Sequence, residues 1–283
     1  MPIDFISIDG IQVPRFLYGT AWKEDATQQL AELALEQGFR GIDTANQRRH
    51  YHEAAVGQAI AASIASGLVV REELFLQTKF TFRSGQDHRL PYDPGAPISA
   101  QVEQSFASSL EHLRTEYIDS YLLHGPASRK GLVPDDWAAW RAMEAIHGSG
   151  RASQLGVSNV SVEQLQLLWA EARVLPRFVQ NRCFASTGWD KSVRQFCKVN
   201  GLIYQGFSLL TANRQVLDHP EIARLARRYN RTIPQIIFRF ALDVDMIPLT
   251  GTTDAEHMRT DLAVFDFRLE QEEIERIEGI ISR

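Results

Sequence analysis

The chain has 283 residues, 44% of them hydrophobic and 23% charged, the make-up of an ordinary folded protein large enough to bury a core without disulfide or metal support. Its 30 Lys and Arg against 35 Asp and Glu leave a formal net charge of −5, which argues against nucleic acid as the main partner, because that role needs a basic face. Cys183 and Cys197 are too few for a disulfide framework and read as apolar filler in a reducing compartment.

The first residues, MPIDFISIDG, have no basic region followed by a long apolar stretch, so no signal peptide is expected. A hairpin is. Phe5-Ile6-Ser7-Ile8 and Ile11-Gln12-Val13 flank Asp9-Gly10, the dipeptide that type I′ turns prefer. After it one pattern recurs: a short apolar run ends in a polar residue, and an amphipathic helical stretch follows. The runs are FLYGT (16–20), GFRGIDT (38–44), LFLQTK (74–79), YIDSYLLH (117–124), SQLGVSN (153–159), FVQN (178–181), LIYQGFS (202–208) and MIPLTGT (246–252). Between them, Val102, Phe106, Leu110 and Leu113 line one face of a helix over 99–114. Residues 135–147 read as a helix with acids at its start, where the helix dipole favours them. Ser161 to Gln164 reads as a capping box opening a helix over 161–172. The irregular stretch 84–97 is long enough to be an active-site loop.

Eight strand-then-helix units in one chain of this length fit a closed (β/α)8 TIM barrel, an α/β fold, as a single domain over 1–283 with an N-terminal β-hairpin. The longest apolar runs are broken by Gly, Ser and Gln and are short of a membrane span, so a cytoplasmic protein without membrane association is expected, as monomer or small homo-oligomer. Nucleotide-binding and hydrolase signatures are missing. Gly148-Ser-Gly150 comes before a strand, the wrong order for a Rossmann turn, and GVSNV and GFSLL are not nucleophile elbows. His52-Glu53-Ala-Ala-Val56 begins like a zinc motif but lacks its second histidine, and no metal is expected.

A (β/α)8 barrel carries its active site at the C-terminal strand ends. There the chain places Asp43, Lys79, His124, Ser158-Asn159 and Gln180. Each alone also reads as a turn, a helix cap or a satisfied buried polar group. One carboxylate, one ammonium and one imidazole on successive strand ends point jointly to proton transfer. Lys79 and Asp43 would attract by about 4 kcal/mol at roughly 4 Å and an effective dielectric of about 20. A phenol beside that ammonium is expected to have its pKa lowered and to serve as general acid, and Tyr51 is the tyrosine just after Asp43. His124 would orient a carbonyl oxygen.

GTAW (19–22), GFRGIDTA (38–45), LFLQTK, YIDSYLLH, GVSN (156–159), FVQN, QGFSLL (205–210) and IPLTGTT (247–253) resemble, in order, the signature segments of the aldo-keto reductase family, and the resemblance spans nearly the whole chain. It implies a barrel that binds NADP(H) across the strand ends without a Rossmann fold and moves hydride between nicotinamide and a small-molecule carbonyl or alcohol. It implies a catalytic tetrad of Asp43, Tyr51, Lys79 and His124. It also implies nicotinamide contacts from Ser158, Asn159 and Gln180, an aromatic stack from Phe207, and Ser208 and Leu210 along the pyrophosphate. Trp22 would wall the carbonyl pocket with Tyr51 and His124.

Three departures stand out. The family commonly has its tyrosine five positions after the aspartate, where this chain has Arg48; Tyr51 is eight along, and counting back from Val56-Gly57 puts the slot on His50. The loop is thus about two residues longer, and Tyr51 is preferred over His50 or His52 because a phenol suits the Lys79–Asp43 pair. The family's 2′-phosphate site often holds Lys, Ser or Thr, and Arg; here stand Gly251, Thr252 and His257, with Asp261 at the adenine position and Asp254 adding negative charge. Backbone N–H groups of Gly251-Thr252-Thr253, or Arg259 turned inward, would hold the phosphate, with NADP(H) favoured and NAD(H) possible. Gly125 replaces the tryptophan of the best-known members, which widens the pocket. The expected function is NAD(P)H-dependent reduction of aldehydes or ketones; the alternative is a nucleotide-binding regulatory subunit of the same fold. Loops 84–97, 126–134 and 184–191, the last carrying Trp189, would set specificity.

Overall fold

A computed structural model describes residues 4–281. Asp9 and Gly10 both take positive φ, 48° and 83°, as a type I′ turn demands, and join β1 (Phe5–Ile8) to β2 (Ile11–Pro14) in an antiparallel hairpin. Eight parallel strands then close a barrel: β3 (Leu17–Gly19), β4 (Gly41–Asp43), β5 (Phe75–Phe80), β6 (Ile118–Leu123), β7 (Ala152–Ser158), β8 (Phe178–Arg182), β9 (Ile203–Phe207) and β10 (Met246–Thr250). The spatial order follows the chain, and β10 pairs β3 to complete the ring. Each of the eight apolar runs holds one strand, so the expected (β/α)8 architecture with its N-terminal hairpin is the one observed.

The helices run outside the ring. They are α1 (Thr27–Glu36), α2 (Glu53–Ala65), α3 (Ile98–Leu113), α4 (Pro134–Gly148), α5 (Val162–Glu171), α6 (Lys191–Asn200), α7 (Arg214–Leu217), α8 (Pro220–Tyr229), α9 (Ile233–Asp243), α10 (Ala255–Leu262) and α11 (Gln271–Glu278). The expected capping box is present: Ser161 Oγ accepts from Gln164 N at 3.2 Å, and Gln164 Oε1 accepts from Ser161 N. Among the described residues no helix is long and apolar enough to cross a membrane.

Two apolar cores follow from strand alternation. Outward side chains such as Leu76, Phe80 and Tyr121 pack under the helices. Inward ones, among them Leu17, Phe75, Leu122, Phe178 and Ile247, fill the bottom of the barrel, where Ile6, Ile8 and Ile11 of the hairpin plug it. Above that plug the interior turns polar, which sets the site at the C-terminal rim. Cys183 and Cys197 are free and buried, and burial pushes both thiols up to about 12.

Candidate active site

Because all eight strands run parallel, their last residues meet at one rim. On β5 the two-residue period sends Phe75, Gln77 and Lys79 inward at rising heights. Lys79 is 0% exposed, and its Nζ donates to Asp43 Oδ1 at 2.7 Å and to the Thr44 carbonyl at 2.7 Å. Asp43 Oδ1 also accepts from Gln77 Nε2 at 2.7 Å and Gln180 Nε2 at 2.9 Å. Beneath them Gln77 and Gln205 exchange amide hydrogen bonds at 2.7 and 3.0 Å, and Ser120 Oγ donates to Gln77 Oε1. A buried ion pair is tolerable only when its lone pairs and protons are satisfied in this way. Burial pulls the Lys79 ammonium below its ordinary value, and Asp43 opposes that pull.

Tyr51 and His124 complete the group. The Lys79 ammonium lies 5.3 Å from the Tyr51 ring centre, and the Tyr51 and His124 rings meet edge to face at 5.9 Å. The longer loop makes this possible by folding back: the N–H groups of His50 and Tyr51 both donate to the Gln47 carbonyl. The expected lowering of the phenol is not what the structure gives. Burial, and then the Asp43 carboxylate, hold the Tyr51 hydroxyl above its ordinary value of 10.0. Enclosure costs the phenolate its hydration, and the nearby Asp43 carboxylate repels the charge it would carry. Tyr51 therefore keeps its proton at neutral pH. His124 is held well below 6.5 by burial, then by Lys79 and His50, and is neutral. Its Nδ1 is 2.6 Å from Thr81 Oγ1, and Thr81 is itself held by Tyr92, whose hydroxyl donates to the Thr81 carbonyl. The 84–97 loop thus buttresses the site.

The other expected residues divide. Ser158 Oγ donates to the Gln180 carbonyl at 2.6 Å, and Asn159 Nδ2 donates to the His124 carbonyl and to Ser158 Oγ, so these three form one chain beside His124. Phe207 packs on top of the inner core, and Leu210 leans on the outer one. Ser208 has φ of 58° and accepts from Arg182 Nε at 3.2 Å. Trp22 is neither core nor a buried wall. It is 70% exposed at the rim and stacks on His50, the alternative occupant of the tyrosine slot, at 4.0 Å. Trp189 is buried against Phe240 and does not reach the mouth.

The expected phosphate site is altered further. Gly251 and Thr253 are exposed and Thr252 half-buried, but Asp254 caps α10 by accepting from His257 N at 2.9 Å, which puts a carboxylate where the phosphate was expected. The His257 ring is exposed. Arg259 does not turn inward: its Nη1 donates to Gln37 Oε1. Asp261 is 4% exposed, accepts from Thr250 Oγ1, and is pushed up to about 7 by burial, so it faces the protein rather than an adenine. The cation that does stand at this rim is one the sequence reading passed over. Lys23 is 7% exposed, donates to the Gly251 carbonyl at 2.7 Å, and is brought down to about 8 by burial. No carboxylate pairs with it among the described residues. Gln77, Gln205 and Thr81 were missed as well. Alternation along LFLQTK pointed to Gln77; Lys23 follows Trp22 directly; Thr81 is marked only by its tertiary contact.

The profile of the aldo/keto reductase family matches residues 17–282. The chain belongs to that family. Its sequence is 30% identical over 274 residues to an uncharacterized oxidoreductase, YtbE, of Bacillus subtilis, covering 96% of this chain and 90% of that protein. It is 27% identical, with the same coverage, to the glyoxal reductase of B. subtilis. Among solved structures, an aldo-keto reductase of Bombyx mori in complex with NADP superposes with a TM-score of 0.83 at 27% identity, covering 99% of this chain and 93% of that one. As an aldo/keto reductase the chain is an oxidoreductase of the NAD(P)H-dependent, carbonyl-reducing kind, and the regulatory-subunit alternative is not favoured.

Proposed function

We propose that this aldo/keto reductase reduces aldehyde or ketone carbonyls with NADP(H), using Asp43, Tyr51, Lys79 and His124. The observation that carries the assignment is the convergence of the buried Lys79–Asp43 pair with the Tyr51 and His124 rings at one rim. When bound, the cofactor supplies hydride to the carbonyl carbon. The protein's task is to polarise the oxygen and protonate it. Neutral His124, oriented by Thr81, hydrogen-bonds the carbonyl oxygen. Tyr51 gives up its hydroxyl proton to the developing alkoxide, an acceptor basic enough to take it from a phenol of raised pKa. Lys79, with its charge oriented by Asp43, stabilises the phenolate left behind.

The residues present fit the cofactor. Ser158, Asn159 and Gln180 offer amide and hydroxyl groups beside His124, and Phe207 offers a ring. Among the described residues buried Lys23 has no carboxylate partner, a phosphate would supply the missing counter-charge, and Arg182 adds a second cation beside Ser208. Those cations suit the phosphates of either dinucleotide, and the fold shared with an NADP-bound aldo-keto reductase favours NADP(H). The chain would act as one domain in the cytoplasm, as monomer or small homo-oligomer, on a small-molecule substrate; its net charge of −5 supports a role apart from nucleic acid. The test is turnover with a panel of aldehydes and ketones. Tyr51→Phe should lower kcat by about 10²- to 10⁴-fold while NADPH still quenches tryptophan fluorescence. Equal rates in the two proteins would remove Tyr51 from the chemistry and pass the role to His50.

A further inference from the structure

The partial zinc motif His52-Glu53 has another use. Among the described residues no group of three or more His, Cys, Asp and Glu is placed for a metal. Glu53 is instead a single carboxylate, 3% exposed, at the first turn of α2 outside the barrel. Its Oε1 accepts from Thr78 Oγ1 on β5, and its Oε2 lies 3.1 Å from His112 Nδ1 on α3. Thr78 is the residue before Lys79, and strand alternation sends the lysine inward and the threonine out to Glu53. One turn further along α2, a Cβ on Gly57 would come 1.9 Å from the His112 carbonyl oxygen. Only glycine there lets α3 approach closely enough for His112 to reach Glu53.

Glu53 also stands two residues after Tyr51, at the end of the longer loop. Among the described residues the Tyr51 hydroxyl has no hydrogen-bond partner; the residue is held by its backbone N–H on the Gln47 carbonyl and by ring contacts with Lys79 and His124. We propose that Glu53 is a positioning residue for the proton-transfer step: its carboxylate ties the start of α2, and with it Tyr51, to the strand that carries Lys79. The proposal rests on Tyr51 as proton donor. The ionisable groups around this tie are His112 and Glu111 from α3, Tyr121 from β6, Lys79 on the far side of β5 and the neighbouring His52. Glu53 holds His112 above its ordinary value and adds to the field that favours charged Lys79.

The test compares Glu53→Gln, Thr78→Val and the double variant in the full-length protein. Each single change should lower kcat by about tenfold or more, and the double should lose clearly less than the product of the two, because both weaken the same Thr78–Glu53 contact while only Glu53→Gln also weakens the one to His112. NADPH affinity, read by fluorescence, should stay within twofold. The basic limb of the kcat–pH profile should move down in Glu53→Gln, since Lys79 loses support for its charge, and a merely structural role would not move it. Asp119→Asn is the control. Asp119 is also buried but accepts from Leu76 N and Arg71 at the other end of the same strands, so its loss should lower the melting temperature and spare kcat. A Glu53→Gln protein with kcat within twofold and an unmoved limb overturns the proposal, as does an equal loss of kcat in Asp119→Asn. If Glu53→Gln does not fold, Thr78→Val reads the same bond. An active Tyr51→Phe protein would instead remove the underlying reading, whereas an inactive one beside an active Glu53→Gln removes only this proposal.

Discussion

Lys23 should take up a proton when cofactor binds. Burial brings its ammonium from 10.5 to about 8, a penalty on the charged form of about 3 kcal/mol. In the free protein at pH 8 the group is therefore about half protonated. A phosphate beside it restores the charged form, so binding should take up roughly half a proton per site at pH 8, more at pH 9 and almost none at pH 6. Calorimetry in buffers of different ionisation enthalpy reads this number directly. Uptake with both NADPH and NADH would place Lys23 at the pyrophosphate; uptake with NADPH alone would place it at the 2′-phosphate. The same group sets a stability slope in the cofactor-free protein. Between about pH 8 and 10.5 the unfolded chain holds the proton that the folded chain has released, so stability rises with pH there. Below pH 8 the penalty is present in full, and Lys23→Met should relieve part of it. A Lys23→Met protein with the same proton uptake as wild type would refute this account.

Lys79→Met leaves the buried Asp43 carboxylate with the Gln77 and Gln180 amides but no counter-charge, and should cost about 3–5 kcal/mol in denaturant unfolding; an unchanged midpoint would show that Asp43 is not held by this pair. A Cβ on Gly125 would meet Asn159 Cβ at 3.4 Å and the Ser158 carbonyl at 3.6 Å, so a side chain there would sit directly against the Ser158–Asn159 segment beside His124. Gly125→Trp should therefore cut kcat/KM for bulky ketones by about tenfold and spare small aldehydes, and an equal loss for both would contradict a width effect. Arg259 donates to Gln37 on the outer face, so Arg259→Ala should leave the NADPH to NADH ratio of kcat/KM within about twofold; a tenfold fall would show that it turns to the phosphate.

The barrel was legible along the chain because its signals are local. A two-residue alternation, an Asp-Gly turn and a Ser161-to-Gln164 cap depend on neighbours within a few positions, and each stands where those patterns put it. The polar residue that ends each apolar run was also legible, since parallel strands bring all such ends to one rim. What the chain could not reveal was direction and state. Whether the longer loop returned Tyr51 to Lys79 depended on backbone bonds from His50 and Tyr51 to Gln47. Whether that phenol was lowered or raised depended first on how deeply the closed site buries it and then on the nearby Asp43 carboxylate. Trp22, Asp261 and Arg259 were placed by their order in the sequence, yet one is exposed on His50, one is buried on Thr250 and one is tied to Gln37. Lys23 and Glu53 carry no local mark because their environments, the Gly251 carbonyl for one and a strand and a second helix for the other, come from remote segments. Periodicity is a property of neighbours in sequence, whereas burial and charge balance are sums over neighbours in space, and only the closed tertiary structure decides those.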